Sequence, residues 1–337
     1  MRHQSPSRPL IIPLILCLGC LWVAAFEPPA RAATQPQSPP KRTSPTKKPA
    51  QKPAATTPSR SSISRNPYLG AIAIDATTGR VLAEDQASVQ GYPASMLKLM
   101  DMLILLEKIQ RRELSLQDPV PVSAKASKTG GSQVWLAEKE IFTVEDMLYA
   151  LMIQSANDAA VALAEKASGS TEAFVELMNQ KARALGMSQT TFQSVHGLPP
   201  GAGQQPDRTS ARDFAILCRE LVLRHPETLR YTSTRERDFR ANIPEKKVVM
   251  RTHNHLLAQV QGCDGLKTGY FANAGFSIAS TATRNGQRVI AVVLGSSDRK
   301  VRDAKAAEFL NRGFQALATP TPPPVGGTAQ PKPAGTR

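Results

Sequence analysis

The sequence predicts an α+β domain, with a mainly antiparallel sheet assembled from both ends and a helical block inserted between them. Three observations carry this. Short apolar runs suited to strands flank a turn near residue 70, and residues 275–283 alternate before a further apolar run to Leu294. The stretch between them follows the helical period. One more helical pattern, over about 300–317, closes the globular part.

In chain order, Leu69–Asp75 and Arg80–Glu84 flank the turn-like Ala76-Thr77-Thr78-Gly79, which reads as an opening β-hairpin. Pro93 then punctuates the start of a buried helix carrying Ser95, Lys98 and the apolar run to Leu106. Pro119-Val120-Pro121 opens a loop-rich stretch to about Glu140, and Thr143-Val144-Glu145-Asp146 resembles a capping box. The helix it starts pauses at Gln154-Ser155-Ala156-Asn157 and resumes over Ala159–Lys166. Further helices are predicted over 171–185, closed by Gly186, and over 209–224 with Thr209 as N-cap. Asn285-Gly286 joins the last two of these runs as a two-residue hairpin turn. There is no internal repeat.

The ends of the 337-residue chain are of another kind. Residues 1–33 carry Arg2 and Arg8, an apolar stretch from Leu10 to Phe26 broken by Pro13, and Ala30-Arg31-Ala32 as an A-x-A site. This is a secretory leader pattern, with an uncleaved N-terminal anchor as its alternative. Cys17-Leu18-Gly19-Cys20 also admits a lipoprotein reading with Cys20 as the lipidated residue. Residues 34–66 and 318–337 are rich in Pro, Ser, Thr and Ala without hydrophobic periodicity, and are expected to be a disordered linker and tail. The globular domain is expected to be 67–317, long enough for a sizeable core.

The net charge is +15, but residues 34–66 hold Lys41, Arg42, Lys47, Lys48, Lys52, Arg60 and Arg65 and no acid. The excess basicity therefore belongs mainly to the flanks. It suits contact with an anionic envelope polymer or membrane surface, or simply keeps a soluble linker open. Nucleic acid is excluded as a partner, because the basic run lacks interleaved aromatics and follows an export signal. Of the four cysteines only Cys218 and Cys263 fall in the domain, without metal-type spacing. In an exported protein they either pair or stand as separate buried thiols.

Three short motifs remain. Ser95-x-x-Lys98 puts a hydroxyl and an amine one helical turn apart, near free backbone N–H groups at a helix start. Ser155-Ala156-Asn157 sits at a break between helices, where side chains project into a cleft. Lys267-Thr268-Gly269 precedes the terminal hairpin and so occupies an edge strand. A second Lys-Thr-Gly, at Lys128–Gly130, has no strand after it and reads as coincidence. The set and its order are those of penicillin-recognising serine enzymes.

With these motifs, and with Ser155–Ala160, Phe174–Asn179, Leu185-Gly186-Met187, His196-Gly197-Leu198 and Asp264–Tyr270, the chain resembles the D-alanyl-D-alanine carboxypeptidase family, the low-molecular-mass penicillin-binding proteins. The resemblance covers about 67–317. Leu97 and Asp101 stand where threonines are common in that family, and Phe271 where a threonine is usual.

The resemblance implies a β-lactamase/transpeptidase-like fold, no cofactor and no metal. It implies a bacterial cell-envelope location, a peptidoglycan stem peptide ending in D-Ala-D-Ala as substrate, and β-lactams as covalent inhibitors. Ser95 would be the nucleophile and Lys98 the base. Lys98 must be neutral for that, against an ordinary pKa of ~10.4, and burial and the charge of Lys267 are expected to lower it. Ser155 would relay a proton to the leaving amine and Asn157 hold the Lys98 amine. Lys267 and Thr268 would bind the terminal carboxylate, and Gly269 would let substrate backbone approach. Backbone N–H groups of Ser95 and near Tyr270 would form the oxyanion hole. His196 is expected to be structural, His253 and His255 not to bind metal, and Asp158 to cap a helix.

A D,D-endopeptidase uses the same machinery and remains open as an alternative. A class A β-lactamase needs Glu-x-x-x-Asn, whereas Glu176 precedes Asn179 by three residues. A non-catalytic envelope-binding module would be signalled by a broken motif, and all three are intact.

Overall fold

The computed structural model describes residues 65–319. The leader, Cys20, nearly all of the basic linker and the tail beyond residue 319 lie outside the described residues.

The main sheet has five strands: β1 (Gly70–Asp75), β2 (Val81–Asp85), β3 (Cys263–Phe271), β4 (Gly275–Arg284) and β5 (Gln287–Ser296). Their order is β2-β1-β5-β4-β3, every pair antiparallel, so the first and last parts of the domain meet at β1 and β5. Asn285 and Gly286 both have positive φ, 49° and 74°, as the two-residue hairpin turn requires. Arg65 already pairs with the sheet, its N–H donating to Gly295 O at 2.9 Å, just ahead of the expected domain start at residue 67.

Strand alternation sorts the core into two layers. Ile72, Ile74, Ile290, Val292 and Leu294 face the helical block. Ala71, Ala73, Val289, Ala291 and Val293 face the C-terminal helix through Ala306, Phe309 and Leu310. The helices named here are α1 (Lys98–Gln110), α2 (Val144–Tyr149), α3 (Asn157–Ser168), α4 (Thr171–Ala184), α5 (Ala211–Arg224) and α6 (Arg299–Ala318). Helix α1 is buried on every side from Lys98 to Leu106, the signature of a central helix.

Three local expectations are corrected. Ser95 lies not in an α-helix but in the 3-10 turn Ala94–Leu97, and α1 begins at Lys98. The N-cap of α5 is Ser210, whose Oγ accepts from Asp213 N at 3.1 Å. Thr209 instead pairs with Gly91 in a short strand, which spends its backbone on a ladder. At Thr143 only half of the capping box forms: its Oγ1 accepts from Asp146 N, and its hydroxyl, not its backbone, meets the Asp146 carboxylate.

Cys218 and Cys263 are both free thiols, which removes the disulfide alternative. Among the described residues no helix is long and apolar enough to cross a membrane.

Candidate active site

A cleft of about 340 Å³ opens where the 3-10 turn, the α2–α3 junction and edge strand β3 converge, and Ser95, Ser155, Asn157, Thr268 and Gly269 line it. Each of the three motifs thus contributes one wall.

The Ser95 wall is strained and clamped. Ala94, just before Ser95, holds φ 47°, a left-handed conformation that a side chain disfavours. The tight winding that follows brings residues i and i+3 over one another. Lys98 Nζ accordingly lies 3.1 Å from Ser95 Oγ, and donates to Asn157 Oδ1 at 2.8 Å and to the His196 carbonyl at 2.7 Å. Two glycines pin the turn from opposite sides. A Cβ on Gly269 of β3 would stand 2.4 Å from Pro93 O, and one on Gly197, whose φ is 75°, would stand 2.3 Å from Ala94 O.

The second wall owes its shape to a π-helical segment, Ala150–Gln154, which follows α2 and ends at Ser155 with φ 61°. Such wide turns recur at functional sites because they re-aim side chains. Ser155 Oγ accepts from Lys267 Nζ at 2.9 Å, and Lys267 also donates to Thr268 O at 3.0 Å. Asn157 Nδ2 donates to Gly130 O at 2.8 Å. The Lys128–Gly130 triplet is therefore not on a strand, yet its last carbonyl orients Asn157.

Electrostatics follow from burial. Lys98 is fully buried, and desolvation pulls its amine down to about 7, against the raising influence of Asp101, Asp207 and Asp158. Lys267 is also buried, and desolvation, followed by the charges of Lys98 and Arg302, holds it well below the usual lysine range. Burial comes first for both amines, and the repulsion between Lys98 and Lys267 is mutual, disfavouring charge on either one while the other is protonated.

Several cleft groups were not singled out from sequence. The His196 carbonyl is an acceptor for Lys98, while its ring accepts from Leu198 N at 3.2 Å and is held near 4 by burial and the charges of Lys98 and Lys125. Backbone acceptors have no sequence signature, although His196-Gly197-Leu198 marks the place. Arg299 and Arg302 bring positive charge to the cleft, whose lining also includes His253 and His255, both already named from the sequence. Arg302 is 2% exposed and grips Asp303 Oδ1 through two nitrogens, at 2.9 and 2.6 Å. A buried arginine at the start of α6 was the available clue. His255 Nδ1 lies 3.0 Å from Asp303 Oδ2, and among the described residues no group of three or more His, Cys, Asp or Glu side chains is placed to hold a metal ion.

Asp158 does more than cap α3. Its carboxylate accepts from Val134 N at 3.2 Å and Leu136 N at 3.0 Å, strapping the loop that carries Gly131 and Ser132 over the cleft. Glu176 is exposed, turned to Arg183 at 3.4 Å, and Asn179 is spent on Phe192.

The model of the family described as D-alanyl-D-alanine carboxypeptidase matches residues 56–298. The chain belongs to the D-alanyl-D-alanine carboxypeptidase family. Among curated relatives, it is 37% identical over 249 residues to the D-alanyl-D-alanine carboxypeptidase DacF of Bacillus subtilis and 36% identical over 259 residues to DacC of Escherichia coli. Each match covers 74% of this chain and 62% of the relative, so the chain spans under two thirds of those proteins' length. Among solved structures, penicillin-binding protein D2 of Listeria monocytogenes in its ampicillin-bound form superposes with a TM-score of 0.65 at 31% identity. That match covers 73% of this chain and 96% of the other. The family's transpeptidase-like α+β fold, expected from the motifs, is therefore the fold of this chain.

Proposed function

We propose that this chain is a serine D-Ala-D-Ala carboxypeptidase that removes the terminal D-alanine from peptidoglycan stem peptides through an acyl-enzyme on Ser95. The observation that carries the reading is the pair of buried amine–hydroxyl contacts facing one cleft, Lys98 with Ser95 and Lys267 with Ser155.

Lys98, brought close to neutrality by burial, takes the Ser95 hydroxyl proton as the Ser95 oxygen attacks the carbonyl between the two D-alanines. Asn157 and the His196 carbonyl hold the amine in line. Backbone N–H groups of Ser95 and of β3 near Tyr270 receive the developing oxyanion. Collapse forms the serine ester and breaks the C–N bond, and the proton held by Lys98 passes through Ser155 to the leaving amine. Lys267 and Thr268 bind the terminal carboxylate, at the end of the cleft where Arg299 and Arg302 add positive charge. Water then hydrolyses the ester. A penicillin enters the same path and leaves a Ser95 adduct.

This work belongs on the outer side of the bacterial cytoplasmic membrane, where the expected leader would deliver the chain. The basic linker would then lie against anionic envelope polymers or lipid head groups.

The test is release of D-alanine from a pentapeptide, measured beside cleavage of a cross-linked peptide dimer, with the Ser95→Ala variant as control. Free D-alanine that disappears in the variant supports the reading. Preferential dimer cleavage would make the chain an endopeptidase, and activity retained by Ser95→Ala would remove the nucleophile assignment.

A further inference from the structure

Asp101 lies on α1 one turn beyond Lys98, on the same helix face, and is 2% exposed. Neither of its carboxyl oxygens has a hydrogen-bond partner among the described residues. Its neighbours in sequence, Leu97, Met100, Met102 and Leu105, are all buried apolar residues. A carboxyl placed so is among the least favourable groups a core can contain, and an apolar side chain would serve packing better.

Three carboxyls act on Lys98: Asp101, Asp207 and Asp158. Two of them have structural duties. Asp158 holds Val134 and Leu136, and Asp207 accepts from Gln193 N, Ser194 N and Ser194 Oγ at 2.6, 3.0 and 2.8 Å. Asp101 holds no loop and caps no helix. The Lys98 amine, for its part, is already engaged by Ser95, Asn157 and the His196 carbonyl, so Asp101 acts on it through space.

We propose that Asp101 is a positioning residue of the Ser95–Lys98 pair: a buried, unpartnered carboxyl one turn along the same helix face, it supplies the countercharge to the Lys98 amine whenever that amine holds the proton taken from Ser95. The inference rests on the reading of Lys98 as the base. Burial weakens Lys98 as a base, and Asp101 is the largest of the influences opposing that weakening. Asp101 in turn is held well above the ordinary carboxylate range by burial, with Asp207 adding to the rise, and the Lys98 charge draws it back toward the ionised form. The other titratable groups facing the pair are fixed in their roles. Asp207 and Asp158 are held by backbone donors, the His196 ring stays neutral near 4, and Lys267 on β3 is turned to Ser155. At the far end of α1, Glu107 is paired with Lys181 at 2.6 Å.

The experiment measures the second-order rate of acylation by a fluorescent penicillin from about pH 5 to pH 10 for the full chain and for Asp101→Asn and Asp101→Thr. Both variants should move the acid limb to lower pH by about one unit, a tenfold change in proton affinity. Both should also melt no lower than the parent, since each removes an uncompensated buried carboxyl. Acid limbs that coincide with the parent's would overturn the proposal. So would variants that fail to fold, because Asp101 would then be a structural residue. Lys98→Met is read separately: wild-type acylation by that variant removes the base reading itself, whereas an inactive Lys98→Met beside unmoved Asp101 limbs removes only the role of Asp101.

Discussion

Lys267 Nζ donates to Ser155 Oγ at 2.9 Å across 112 residues of chain. The contact joins edge strand β3 to the α2–α3 junction and closes the cleft opposite Ser95. It also leaves a buried amine with few partners, since its other acceptor is the Thr268 carbonyl.

Replacing Ser155 by alanine is therefore expected to act twice. The proton path to the leaving amine is lost, and Lys267 keeps one acceptor in place of two. Turnover of a D-Ala-D-Ala peptide should fall about 100-fold or more. Acylation by penicillin, whose leaving amine stays tethered, should fall less. Equal losses in steady-state kinetics and in stopped-flow labelling would remove the relay role.

Gly197 is expected to tolerate no side chain. Alanine there would adopt φ 75° and place its Cβ 2.3 Å from Ala94 O. The positive φ alone costs about 1–2 kcal/mol, and relief of the clash would push the Ser95 turn away from Lys98. Thermal unfolding should show the stability loss. Penicillin labelling should drop by far more than the unfolded fraction explains.

Stability should decline as the pH falls from about 6.5 to about 4. Burial first, then the charges of Lys98 and Lys125, hold His196 near 4, below the ~6.5 of an unfolded chain. His253 is shifted the same way but, being exposed at the surface, counts for less. The unfolded chain therefore takes up the protons first, and the stability present above 6.5 is lost as the pH falls through this window. The two together contribute on the order of 2 kcal/mol after allowance for their partial exposure. Urea titrations across the window check this, and His253→Gln should flatten part of the slope. An unchanged slope would assign the acid sensitivity to other groups.

A penicillin adduct on Ser95 should persist for many minutes. Fast deacylation needs a carboxylate over the ester, and Glu176 points to solvent beside Arg183 while Asn179 is tied to Phe192. Intact-protein mass spectrometry after a chase gives the lifetime. Rapid return of the free protein would reopen the β-lactamase reading.

Much of this was legible in the chain itself. Short apolar runs beside turn residues located β1, β2 and β5, alternation located β4, and Asn285-Gly286 located the last turn, because these are local properties of the chain. The three motifs located the residues of the cleft. The π-helical segment before Ser155 escaped, since one extra residue in a helical turn leaves the apolar pattern almost unchanged. So did the N-cap at Ser210, where Thr209 offered the same chemistry one position earlier and the short strand opposite Gly91 decided between them. The separate thiols of Cys218 and Cys263 were equally beyond reach, because only folding says how far apart two distant residues lie.

By itself, then, the sequence determined the α+β layout, the order of the motifs and which side chains they bring to the cleft, all of which depend on neighbours along the chain. The tertiary structure alone decided the surroundings of the Lys98 amine. Its three bonds lead to Ser95, Asn157 and the His196 carbonyl, and its charge is opposed by burial and supported by Asp101, Asp207 and Asp158. Proton affinity depends on distance and desolvation through space, and only the folded chain brings those carboxyls and that carbonyl around one amine.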